Sequence, residues 1–123
     1  MVMRPGVMVR LPYPSDWDIQ ANIAGRPTRL GILRITGVTN NQVSGAVNFR
    51  GTFLPIQGTW EERTRQLRFE TPYASFAGTL ASAEDPQIRL RHYALRGTVR
   101  MKHPSIRAGQ FGTWTATTMI RTS

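Results

Sequence analysis

Two histidines, seven carboxylates and no cysteine make up the chain's whole stock of acid–base and metal-ligating side chains. The missing thiol removes disulfides, thiolate nucleophiles and cysteine-bound metal clusters together. His92 follows Ile88 and Leu90 at two-residue spacing. On a strand that spacing turns it inwards, where an imidazole can contact a small ligand or bind haem iron. A hydrogen-bonded interior histidine reads the same way. His103 stands before Pro104 and reads as a surface loop residue. The carboxylates fall as Asp16 and Asp18, as Glu61 and Glu62 with Glu70 further on, and as Glu84 and Asp85. With Arg63 and Arg65 beside the second group, a solvated turn accounts for it better than a general acid–base pair. Ser75 and Ser105 have no His–Asp companions nearby in sequence. The chain holds no phosphate loop, dinucleotide fingerprint or zinc-protease motif. Neither an enzyme nor a resident metal or cofactor is the favoured expectation.

Binding chemistry is better represented. Trp17, Trp60 and Trp114, with Phe49 and Phe76, are bulky apolar groups that can line a ligand cavity, and His92 would add a polar contact. A filled core uses the same residues. The formal net charge is +9, and from Pro86 to Ser123 there is no acidic residue at all. Within that stretch Arg89, Arg91, Arg96 and Arg100 form a candidate anion-binding row, suited to phosphates or an acidic partner. Nucleic-acid surfaces usually interleave such charges with exposed aromatics, and Tyr93 is the one available in the row. A solvated cationic wall is the competing reading.

These side chains need a scaffold, and the pattern that would position them has a period of two, as expected for strands with one buried face. Val43, Gly45, Val47 and Phe49 alternate with small or polar residues, as do Leu54, Ile56, Gly58 and Trp60, and Leu95, Gly97, Val99 and Met101. The phase slips between His92 and Leu95, which predicts a β-bulge or turn there. Asn40-Asn41 suits the positive φ of a tight hairpin, and breaks also fall at Gly25-Arg26-Pro27, Glu61 to Thr64, Ala83 to Pro86, and His103 to Gly109. About eight strands result, over 17–23, 29–38, 42–50, 54–60, 65–70, 73–82, 87–101 and 110–121. Short strands with tight turns predict an all-β, antiparallel up-and-down meander closed into a barrel. The 123 residues are expected to form one domain, with 1–15 as an irregular N-terminal arm.

One local phrase recurs: Ser44-Gly45-Ala46, Gln57-Gly58-Thr59-Trp60, Ala77-Gly78-Thr79-Leu80, Arg96-Gly97-Thr98-Val99 and Gly112-Thr113-Trp114. Glycine inside a strand weakens it, so its repetition on the apolar face implies a sharply curved wall or a large neighbour needing room. In this phrase, in the early Trp17 and in the rhythm of the last strand, the chain resembles the calycin group, the avidin-like and lipocalin-like barrels. The resemblance implies an up-and-down barrel with room for a small, partly apolar ligand. The polar residues with which avidins hold biotin are not found, so none is carried over. The expected function is a non-enzymatic binding module with such a ligand. The alternative is a structural or interaction module whose basic outer wall makes it an oligomer subunit or a binder of an anionic partner. No apolar run approaches the ~20 residues of a membrane-spanning helix. Arg4, Pro5 and Arg10 break any signal-peptide centre, so a soluble, cytoplasmic protein is expected if Met1 is the native start.

Overall fold

The computed structural model describes residues 11–25, 29–49, 51–85, 87–102 and 108–121. Met1 to Arg10, the Arg26-Pro27 turn, Arg50, Pro86, His103, Ser105 and Arg107 lie outside the described residues. Eight strands follow one another: β1 (Ser15–Ile23), β2 (Arg29–Thr39), β3 (Gln42–Asn48), β4 (Phe53–Glu61), β5 (Gln66–Glu70), β6 (Ala74–Asp85), β7 (Leu90–Met101) and β8 (Phe111–Arg121). Each pairs antiparallel with the next, and β8 returns to β1, closing an up-and-down barrel. No helix occurs among the described residues.

Alternation drives the closure. In β1, Trp17, Ile19 and Ala21 are buried while Asp16, Asp18 and Gln20 are exposed, and β5 repeats this with Leu67 and Phe69 against Gln66, Arg68 and Glu70. Joining every such strand edge to edge puts the apolar rows in one interior and satisfies the backbone without a free edge. The turns follow local chemistry. Asn40 and Asn41 both take positive φ, at 52° and 66°, in the tight β2–β3 hairpin that two asparagines predict.

Strand ends differ from the sequence expectation by up to three residues, and the main differences are the β6–β7 turn and the place of the bulge. β6 runs on to Asp85, so its turn to β7 falls at 87–89 rather than at Ala83 to Pro86. The predicted slip between His92 and Leu95 does not occur, because β6 and β7 pair without a shift from Ala74↔Met101 to Asp85↔Leu90. Ile88 belongs to the turn and is exposed, so it cannot set the strand's phase; buried Tyr93 does. The irregularity sits instead in β2, between Ile35 and Gly37. An extra residue there lets Val38 rejoin the inward set opposite Val43.

The core is aromatic. Phe69 and Phe76 stack at 4.6 Å, and Trp114 meets both edge-on at 5.5 and 5.6 Å. Trp17 packs edge-on to Tyr93 at 6.1 Å. Gly78 and Gly97 face each other across β6 and β7, directly beside this cluster. A Cβ on Gly78 would lie 2.7 Å from Trp114 Cζ2, and one on Gly97 would run into the Ala77 carbonyl and Gly78. The glycines bring the wall's backbone within reach of the indole, whose Nε1 donates to the Ala77 and Thr98 carbonyls at 3.1 and 3.0 Å. Leu11, within the expected arm, is buried in the same core.

Candidate functional site

The residues expected to line a ligand cavity fall into three situations. Trp17, Trp60, Phe76 and Trp114 are buried in the core, with Trp17 and Trp114 each 1% exposed. Phe76 and Trp114 touch each other and Phe69, so they fill the interior with one another. Phe49 is half-buried against the core's edge. His92 is a correction to the sequence reading. Its neighbour Tyr93 points inwards, so His92 faces outwards and is exposed, opposite Ala83 on β6 and Met119 on β8.

The expected anion-binding row also divides. Arg96 and Arg100 stand on the outer wall, exposed, at alternate-strand positions with Thr98 between them. Arg91 has the opposite parity and is tied to Glu84 through Nη2–Oε1 at 2.6 Å. Its bonds to Glu84 and then to Tyr93 raise its pKa, so it stays charged and engaged. Arg89 lies in the turn before β7 with a φ of 55°. Two of the four thus share one wall, and the other two belong to the β6–β7 tip.

The pairing brings further residues to that wall which sequence spacing alone does not group. Arg68 on β5 pairs with Ala77 on β6, which pairs with Thr98 on β7, so Arg68 sits level with the midpoint between Arg96 and Arg100. Arg100 pairs with Phe111 on β8 and its guanidinium lies 5.3 Å from the ring centroid. Phe111 is 62% exposed, and Tyr73, just before β6, is 42% exposed at the same end. Phe111 is legible in parity: Gly112 and Trp114 take alternate positions, and Trp114 points inwards, so Phe111 must point out. Tyr93, the aromatic expected on the surface, is buried instead.

The charges on this wall are arranged unequally. Lys102 Nζ donates to Glu70 Oε1 at 2.7 Å, and Ser75 Oγ donates to the same oxygen at 3.2 Å. The Lys102 bond and charge, then the Ser75 bond, hold the Glu70 carboxyl below the usual glutamate range. Glu70 is thereby neutralised in place. Arg68, Arg96 and Arg100 carry no ion pair among the described residues. Rows of hydroxyls flank them: Thr79 and Thr115 beside Arg96, Thr98 and Thr113 between Arg96 and Arg100.

The opposite end of the same strands has a different character. An open groove of about 570 Å³ crosses the outer faces of β6, β7, β8 and the start of β1. Its floor is shallow because Ala81, Ala83, Ala94 and Thr117 are small, and Asp16 and Asp18 stand on its β1 side. Asp16 is held by Arg34, through Nε–Oδ1 at 2.9 Å, and this contact raises the pKa of Arg34. The β1–β8 pairing stops at Asp18↔Thr117, and beyond it Thr118 Oγ1 donates to the Asp16 carbonyl at 2.8 Å. Groups of His, Cys, Asp and Glu able to hold a metal are not found among the described residues. Ser75 bonds a carboxylate rather than a histidine, so the nucleophile–base geometry of acyl transfer is not built around it.

Compared with known proteins, the chain matches no family model, no curated protein and no solved structure.

Proposed function

We propose that this barrel is a non-enzymatic binding module that works through its basic outer wall, taking an anionic partner. The observation carrying this reading is the set Arg68, Arg96 and Arg100, contributed by β5 and β7 on either side of β6 to one outward face, without ion-pair partners among the described residues. An unpaired arginine adds little to folding, whereas several on one wall raise a local positive potential that attracts anions. The rival reading, a small apolar ligand in the interior, asks more of the fold. Such a ligand would have to displace the Phe69, Phe76 and Trp114 contacts and the two Trp114 hydrogen bonds. The calycin-like rhythm of the strands speaks to architecture and brings no ligand residue with it.

Retention on immobilised heparin at low salt tests the reading. The triple variant Arg68→Ala, Arg96→Ala, Arg100→Ala is expected to elute at markedly lower salt than the parent. A variant with the turn residues Arg63→Ala and Arg65→Ala, plus one outward change far from the wall such as Arg34→Ala, loses the same formal charge and serves as the control. Equal elution of the two triple variants would show that net charge, not this wall, does the binding.

A further inference from the structure

We propose that the anionic partner is a single-stranded nucleic acid, with Phe111 as a stacking platform for a base and Arg68, Arg96 and Arg100 as contacts to its phosphates. This rests on the outer-wall reading and names the partner.

The argument starts from Phe111. Phe111 opens β8, paired with Arg100, and its ring is 62% exposed beside the Arg100 guanidinium at 5.3 Å rather than turned to the core. An exposed aromatic next to a cation serves a ligand that offers both a flat π-face and a negative charge. Nucleotides do, since base–aromatic stacking tolerates any sequence and arginine meets the backbone. Sulfated sugars and lipid phosphates present charge without the planar ring. Tyr73, 42% exposed, lies at the same end, its carbonyl accepting from the Lys102 backbone N–H at 2.9 Å. The wall thus has two exposed aromatics at its Arg100 end, beside the charges.

The spacing suits an extended strand. Arg96 and Arg100 are four residues apart on β7, roughly 13 Å at about 3.3 Å per residue, and Arg68 lies two strand spacings to the side, roughly 10 Å. Threonine hydroxyls fill the positions between, free to bond phosphate or sugar oxygens. The one acidic side chain among them, Glu70, is occupied by Lys102 and Ser75. A duplex is read by an element that enters a groove. The wall is a barrel exterior with short side chains between the arginines, and a single strand can lie along it with its bases turned in.

Fluorescence anisotropy with a labelled oligothymidylate of about 12 nucleotides, within the ~4–16 nucleotide span of small β-barrel binders, tests this. Phe111→Ala should weaken binding roughly 5- to 150-fold, the loss of one stacked base, with the salt dependence unchanged. Phe111→Trp should retain it. Arg96→Ala and Arg100→Ala should each lower the slope of log K against log salt by about 0.7, one phosphate on a single strand. Circular dichroism of each variant guards against misfolding, and Phe111→Trp keeps the ring question answerable if Phe111→Ala is unstable. The inference is overturned if Phe111→Ala binds like the parent, if duplex competes as well as single strand, or if phosphatidylglycerol vesicles bind and the oligonucleotide does not. In those cases arginine-dependent heparin retention would leave the outer-wall reading standing. A parent protein that binds neither heparin nor the oligonucleotide would remove both.

Discussion

The two faces of β7 differ at every step of one strand. Inwards, Tyr93, Leu95 and Val99 are at most 8% exposed and Gly97 yields its place to a neighbouring backbone. Outwards, His92, Arg96, Thr98 and Arg100 stand in solvent beside Thr79, Thr113 and Thr115. The inner face is fixed by volume, because a close-packed interior responds to a single methylene. The outer face is constrained by little except strand geometry, so its composition is available for binding. Function on this scaffold is therefore expected where substitution leaves the fold intact, and the contrast can be tested residue by residue.

The hardest blow to the inner face is Trp114→Ala. It removes an indole 1% exposed, two edge-to-face contacts and two hydrogen bonds to wall carbonyls. A loss of about 3–5 kcal/mol in urea unfolding is expected. A loss below about 1 kcal/mol would mean the interior tolerates space, and would restore the cavity reading.

Adding volume is the reverse test. Gly78→Ala places a methyl 2.7 Å from Trp114 Cζ2 and 2.8 Å from the Arg96 carbonyl oxygen, so both the indole and the β7 backbone must give. The expected cost is about 1–3 kcal/mol, with a changed tryptophan emission spectrum. A neutral result would show that Gly78 serves the bend of the wall rather than the seat of Trp114.

How far the sequence foretells this contrast depends on what kind of fact is asked for. Period-two alternation is a consequence of backbone geometry, so strand number, barrel class and the inward glycines were readable from it. Local chemistry also sufficed at Asn40-Asn41. The reading failed where a residue's type is ambiguous between faces. Tyr93 carries an apolar ring and a polar tip, and taking it as outward sent His92 inwards. The step from Ile35 to Val38 breaks the period of two, and the bulge lies there rather than between His92 and Leu95, where a bulge or turn is expected. Pairing across strands was out of reach. Nothing within β5 says that Arg68 will lie level with Thr98, because that depends on two registers set elsewhere. A row of arginines read along one strand therefore misses Arg68, which the pairing of β5, β6 and β7 brings beside Arg96 and Arg100.

Glu70 and Lys102 give a smaller test, on the outer face. Their bond depresses the Glu70 pKa in the folded state. The stability it supplies is present in full above the ordinary glutamate value of about 4.3 and is lost as pH falls through the depressed folded value. With side chains 62% and 36% exposed, solvent screening keeps the contribution well below about 1 kcal/mol. Glu70→Gln should flatten that part of the stability profile below about pH 4.3 and leave the neutral plateau nearly unchanged. A larger effect would mean that the outer wall, too, helps hold the barrel.

The smallest expected change in stability, and the most discriminating for the comparison, belongs to Arg96→Ala. Arg96 is exposed, has no ion pair among the described residues and is flanked by Thr79 and Thr115, so its removal leaves no cavity and no orphaned partner. Unfolding free energy should stay within about 0.5 kcal/mol of the parent. It can even rise, since removing one cation from a strongly basic chain relieves self-repulsion. Anion binding measured on the same sample should fall. A residue that affects affinity and not folding is what an outer wall devoted to binding requires. If Arg96→Ala instead destabilised the barrel while leaving affinity intact, the two faces of β7 would not divide structure from function.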